Sequence, residues 1–128
     1  MLAWERARDI RVELTFLGPV AMRRLNRRAT GRRSLTDVLA FSLPQPDGTI
    51  LGDVYICTAA AERWVSSGGR GMGDGARVVT LEEELLRLAV HGTLHVLGYD
   101  HPQGPGRTRS TMWRKQEGYV GRLLAQPR

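Results

Sequence analysis

The clearest helical pattern in the chain, residues 80–97 (TLEEELLRLAVHGTLHVL), runs into its only three histidines. Thr80 followed by Glu83 predicts a capping box, and Glu82, Glu83 and Glu84 suit the positive end of the helix dipole. Gly98 supplies the left-handed residue that ends a helix. On this helix His91 and His95 stand four residues apart and project from one face. After the turn at Gly98, His101 arrives three residues later. Converging imidazoles at this spacing hold one metal ion per chain and leave a coordination position for water, which is the catalytic pattern of zinc. The predicted ligands are therefore His91, His95 and His101, with the zinc-bound water as the reacting group. Asp100 is the nearest carboxylate. It is a candidate to orient a ligand or assist proton transfer, or it is a turn residue only.

The spacing H-x3-H-x2-G-x2-H is also that of metzincin peptidases, whose general base is a glutamate directly after the first histidine. Here that position is Gly92, which carries no proton acceptor. The ligands are kept without the base, so a different reaction or a differently placed base is expected.

The remaining segments read as strands and helices around this element. Residues 10–17 (IRVELTFL) alternate apolar and polar, predicting a half-buried strand. In 19–30 (PVAMRRLNRRAT) the period changes. Ala21, Leu25 and Ala29 form an apolar stripe opposite Arg23, Arg24, Arg27 and Arg28, with Pro19 at the start and Gly31 past the end. Residues 36–44 and 49–57 read as two further strands around the turn signal PDG at 46–48. Residues 58–66 read as a short helix, 68–75 as a glycine-rich loop, and 107–125 as a final helix carrying Met112, Tyr119, Leu123 and Leu124. The expected fold class is α/β (α+β): a small mixed sheet covered by helices. With 128 residues, the chain has the length of a single domain, 1–128.

A single cysteine, Cys57, excludes an internal disulfide and a thiolate zinc site. No apolar run approaches the ~20 residues that span a bilayer, so no membrane role is expected. The opening stretch MLAWERARDIRVELTF alternates charged with apolar residues, unlike a signal peptide, and predicts a cytoplasmic protein. The net charge of +6 favours a polyanionic partner, nucleic acid first.

Three ordered blocks give the chain a family likeness. HGTLHVLGYDH (91–101) resembles the signature of the YbeY-type endoribonucleases, with Val96 where leucine is usual. SLTDVLAF (34–41) and LGDVYIC (51–57) are similar to two further segments of that family, in the same order. The likeness covers most of residues 10–122. It implies a zincin-like fold, one zinc on His91, His95 and His101, and cleavage of single-stranded RNA. It further implies processing of the 16S rRNA 3′ end, a role in ribosome quality control, and work with the small ribosomal subunit. Two further positions depart: where the family has an arginine before the T-D-V-L block, this chain has Thr30, and Ala29 stands at the aromatic position.

A zinc ion lowers the pKa of its water towards ~7 and polarises a phosphoryl oxygen. RNA carries its own 2′-hydroxyl, so hydroxide can act as attacker or as base. Six arginines, Arg23, Arg24, Arg27, Arg28, Arg32 and Arg33, are the candidate contacts to RNA phosphates. Two other readings remain open from sequence. One is a zinc peptidase that has replaced its glutamate base. The other is a non-catalytic ribosome-binding protein with a structural zinc.

Overall fold

The structure is a computed structural model that describes residues 1–5, 9–68, 79–102 and 104–126. The elements run β1 (Ile10–Leu17), α1 (Pro19–Thr30), β2 (Val38–Pro44), β3 (Ile50–Cys57), α2 (Thr58–Ser66), α3 (Leu81–Val96), a 3-10 turn (Arg107–Arg109) and α4 (Thr111–Leu124). The sheet order is β1-β3-β2. β1 pairs parallel to β3, and β2 pairs antiparallel to it. This is the small mixed sheet with helices that the sequence predicts. The glycine-rich stretch expected at 68–75 falls, from Gly69 on, outside the described residues.

The pleat decides which side chains meet the helices. Even-numbered residues of β3 point to one face, where Val54 and Ile56 are fully buried with Ala61 of α2 and Leu88 and Val96 of α3. Burying side chains of this size stabilises by about 1.5–3 kcal/mol each. A second cluster forms behind α3, where Val90 and Leu94 pack on Met112, Tyr119 and Val120 of α4. The helix is thus apolar on two sides, one for the sheet and one for α4.

Its approach to the sheet is set by two glycines. A Cβ on Gly52 would lie 2.5 Å from Val96 Cγ1, and one on Gly92 would lie 2.5 Å from Val54 Cγ1. Both are far inside van der Waals contact, so each glycine makes room for a valine on the opposite element.

Three expectations need correction. Leu14 and Phe16 are 46% and 57% exposed rather than half-buried. β1 is an edge strand, and α2 and α3 lie over β3. On α1, the buried residues are Met22 and Asn26, while Ala21 and Ala29 are exposed. Asn26 turns inward because its Nδ2 donates to the Ser34 carbonyl at 2.9 Å, tying down the chain that leads to β2. The final helix begins later than residue 107. Ser110 caps α4, accepting from the Trp113 N–H at 3.1 Å, and separates it from the 3-10 turn.

Gly92→Ala should destabilise the protein by about 1–3 kcal/mol, because the clash with Val54 outweighs the helix propensity gained. Gly118→Ala is the control: it lies on α4 with open space around its Cβ, and should be neutral or stabilising by up to about 1 kcal/mol. Urea denaturation of both variants checks the contrast. Equal midpoints would remove the close approach as a constraint.

Candidate metal centre

Besides its two apolar sides, α3 carries a third stripe at helical spacing: Glu84, Arg87, His91 and His95. His91 is buried, and His95 is half-buried at the edge of a groove. Gly98, with φ 99°, turns the chain after the helix and brings His101 back to the same place. One nitrogen from each of the three rings lies within 4.8 Å of the others, and the ring centroids are 4.6–5.2 Å apart.

The hydrogen bonds fix which nitrogens face inward. His95 Nδ1–H donates to the Tyr99 carbonyl at 3.0 Å, and His101 Nδ1–H donates to the Pro102 carbonyl at 3.0 Å. A carbonyl only accepts, so both Nδ1 atoms carry the proton and both Nε2 atoms are bare. His91 reaches the same state through a side chain. Its Nδ1 is 2.7 Å from Gln116 Oε1, and the Gln116 amide N–H2 donates to Glu117 Oε2 at 2.9 Å. The carboxylate requires a donor, so the amide nitrogen faces Glu117 and the oxygen faces His91. Arg87 anchors that carboxylate with two bonds, Nε to Oε2 at 2.9 Å and Nη2 to Oε1 at 3.0 Å. Glu83 and Glu84 neutralise Arg87 from its own helix. A second knot holds Tyr99. Its hydroxyl donates to Glu5 Oε1 at 2.6 Å, while the Tyr119 hydroxyl and Lys115 Nζ (2.9 Å) donate to Oε2. Burial works against the Glu5 charge, but these donors hold its pKa down at about 2.

The bare His91 and His95 Nε2 atoms are 3.1 Å apart. Two lone pairs at that distance repel unless a proton or a cation lies between them. Burial, assisted by the neighbouring histidines, lowers the His91 pKa from 6.5 to about 4, and burial likewise lowers that of His95, so a shared proton is disfavoured. Two nitrogens bound to one tetrahedral zinc at ~2.0–2.1 Å stand about 3.3 Å apart. The donor set is therefore arranged for a metal ion.

Beside the histidines runs a groove of about 490 Å³ between α3 and the outer edge of β2, which pairs only with β3 among the described residues. Asp100 lines it; one carboxylate oxygen of Asp100 accepts from the His101 N–H at 2.8 Å. Gly92 borders the groove, yet a Cβ there would be driven into Val54. A glutamate base could not occupy this position without lifting the helix. The six arginines of 23–33 are exposed, on α1 and the segment after it, and none lines the groove. The Thr30 hydroxyl bonds the Asn26 carbonyl at 2.8 Å and Asn26 Oδ1 at 2.9 Å, a capping role within its own helix. Gln116 and Glu117 were not predicted. The sequence signal was a polar pair, Gln116–Glu117, on a helix face that otherwise carries Met112, Tyr119 and Val120.

The fold and site define a small α+β protein with a three-histidine metal-binding arrangement on one helix, open to a groove. The chain belongs to the YbeY family: the family described as Endoribonuclease YbeY matches residues 2–123. A relative of that name from Pelotomaculum thermopropionicum is 38% identical over 122 residues, covering 90% of this chain and 73% of the relative. One from an Anaeromyxobacter species is 36% identical over 126 residues, covering 92% and 60%. The solution structure of a Thermotoga maritima protein superposes with a TM-score of 0.58 at 28% identity, covering 98% of this chain and 79% of that one. The chain thus spans only part of the length of these relatives.

Two predictions follow from the hydrogen bonds. Gln116→Ala removes the acceptor that sets His91 and should weaken zinc affinity by about 10–100-fold, measured by competition with a chromophoric chelator. In the metal-free protein, His91 is neutral in the fold down to about pH 4, whereas the unfolded chain takes up the proton near 6.5. Because the unfolded state then binds more protons, stability is full above about 6.5 and falls as pH drops towards 4. Urea denaturation at pH 7 and pH 5, above the carboxylate range, should show a loss on the order of 1–2 kcal/mol. A flat profile would mean that the buried ring is not held neutral.

Proposed function

We propose that the chain works as one metal-dependent endoribonuclease domain that cuts single-stranded RNA with zinc held by His91, His95 and His101. The observation that carries this reading is the set of three Nδ1–H tautomers aiming bare Nε2 atoms at one point beside an open groove, in a chain of the YbeY family. The relatives' name supplies the substrate class. A zinc ion there would supply a water with a pKa near 7 and a Lewis acid for a phosphoryl oxygen.

The chain's own residues set what that chemistry can act on. Imidazole ligands bring no negative charge, so a metal held by them would keep most of its positive charge for an anion. Gly92 leaves the helix without a base, and Asp100 is the carboxylate that lines the groove. RNA brings its 2′-hydroxyl, which lessens the need for a protein nucleophile. Arg23, Arg24, Arg27, Arg28, Arg32 and Arg33 present an exposed basic surface that would bind the phosphate backbone away from the groove. In this reading the protein acts in the cytoplasm on rRNA, at the 3′ end of 16S rRNA on the small ribosomal subunit, and in ribosome quality control. Among the described residues no helix is long and apolar enough to cross a membrane.

Wild-type protein should carry zinc and cleave a single-stranded RNA oligonucleotide in a chelator-sensitive way. His95→Ala should lose about a thousandfold or more in turnover, the several kcal/mol of charge stabilisation a metal contributes. Its unfolding free energy from urea denaturation should fall by no more than about 1 kcal/mol. Loss of folding on His95→Ala would instead mark the zinc as structural. An oligonucleotide with a 2′-deoxy sugar at the cut site separates the two routes: resistance assigns attack to the 2′-hydroxyl, and cleavage assigns it to water.

A further inference from the structure

Five consecutive residues of β2 line the groove: Val38, Leu39, Ala40, Phe41 and Ser42. A pleated strand turns successive side chains to opposite faces. Val38 and Ala40 pack against the core beneath α3, whereas Phe41 meets the Tyr55 ring on the face turned away from it, with centroids 5.9 Å apart. Neither face holds all five residues. What they present to the groove in common is the main-chain edge of the strand.

The pairing decides which groups that edge carries. In an antiparallel pair, residues that exchange hydrogen bonds alternate with residues whose N–H and C=O point outward. At one end of the pairing the Cys57 N–H donates to the Asp37 carbonyl at 2.8 Å, and at the other the Gln45 N–H donates to the Thr49 carbonyl at 2.7 Å. Both bonds continue the register in which Leu39 faces Tyr55 and Phe41 faces Asp53. Odd-numbered residues of β2 therefore bond β3, and Val38, Ala40 and Ser42 turn their main-chain groups outward. The Val38 carbonyl also meets the Thr36 hydroxyl at 3.4 Å. Among the described residues no second strand pairs with this edge.

The rest of the lining says what such an edge can meet. Besides the histidines, Asp100 is the only lining residue with a titratable acid or base, apart from the Tyr99 phenol, and none is arginine or lysine. A phosphate gains nothing along this wall. Alternating donors and acceptors call for a neutral partner that carries both, and the bases of unpaired RNA do so on their Watson–Crick and Hoogsteen edges. The outward groups recur every ~6.8 Å, two residues of strand, which is about the reach of one nucleotide in an extended chain. A strand whose scissile bond sits at the histidines shares their groove, and so runs past this edge. In a duplex the Watson–Crick edges are already paired.

We propose that the outward main-chain groups of Val38, Ala40 and Ser42 hydrogen-bond the bases of the RNA strand, and that this contact selects unpaired RNA at the groove. The inference rests on the endoribonuclease reading for its ligand, but binding tests it apart from cleavage.

The test titrates 15N-labelled, zinc-loaded full chain with a single-stranded RNA oligonucleotide methylated at its 2′-hydroxyls, which prevents self-attack. A sugar–phosphate strand of equal length without bases and a neutral extended peptide are the comparisons. The base-bearing strand should shift the amide signals of Val38, Ala40 and Ser42 more than those of Leu39 and Phe41. It should also bind about tenfold more tightly than the strand without bases. Ala40→Pro removes one outward N–H and no bond to β3, at a place where an edge strand accepts proline. It should cut the preference for bases to about threefold or less, with zinc content unchanged. Phe41→Pro, which deletes a bond to β3, should unfold the protein instead. If Ala40→Pro does not fold, Ser42→Pro, at an exposed position of the same phase, takes its place. Equal affinity for the two strands, shifts without the alternation, or a preference kept in the proline variant overturns the proposal. So does an edge that answers to the peptide and not to RNA. Base-dependent binding without cleavage would leave the edge contact standing and remove the nuclease reading, whereas cleavage with equal affinity for both strands would do the reverse.

Discussion

Two reciprocal contacts position everything else: Val96 fills the space above Gly52, and Val54 fills the space beneath Gly92. With no side chain at either glycine, α3 settles onto β3 more closely than larger residues would permit. At that depth His91 and His95 share a groove with β2, whose residues 38–42 form one wall of it. It also leaves the opposite side of α3 for α4, whose Met112, Tyr119 and Val120 close the second apolar cluster. The histidine stripe lies between two packed surfaces. Its geometry is therefore inherited from apolar packing, not from the polar residues themselves.

Packing puts the rings near one another, but it does not say which nitrogen faces inward. That is decided by acceptors drawn from distant parts of the chain. Two are backbone carbonyls of the turn that follows the helix, those of Tyr99 and Pro102. The third is Gln116 of α4, whose own orientation is dictated by Glu117 and, behind it, Arg87. Arg87 closes the circuit, because it stands one turn before His91 on the same helix. Burial alone would lower the pKa of Arg87, but Glu117, Glu83 and Glu84 more than reverse that. Glutamates read from sequence as partners of the helix dipole thus also anchor the cation that orients a metal ligand.

How much of this was legible in advance follows from the range of each interaction. The helix over 80–97, its Thr80 cap and the turn at Gly98 were readable because they depend on residues a few positions apart. The Thr80 hydroxyl accepts from the Glu83 N–H at 3.1 Å, as the capping pattern requires. The three histidines were readable for the same reason. Gln116 was not, because its role depends on which face α4 presents to α3. The buried face of α1 was misjudged because Asn26, a polar residue, turns inward to bond a carbonyl eight residues away. Leu14 and Phe16 alternate as a buried strand should, but alternation says nothing about whether a strand lies at the edge of its sheet. The basic run and the histidine motif are both plain in the sequence, and only the fold shows that the groove contains none of those arginines.

That separation bears on the kind of substrate the site fits. In the peptidase pattern with the same histidine spacing, a glutamate follows the first ligand and brings one negative charge to the centre. Here the position is glycine, and Val54 occupies the space a side chain would need. The groove keeps the histidines at one end and Asp100 beside them. A peptide would find no carboxylate at the position of the peptidase base. A phosphodiester carries the missing negative charge, and RNA carries a nucleophile as well. The exposed arginines of α1 lie outside the groove, as would suit a backbone of repeating charge held without being cut. The missing peptidase base and the exposed basic face of α1 thus favour the same class of substrate.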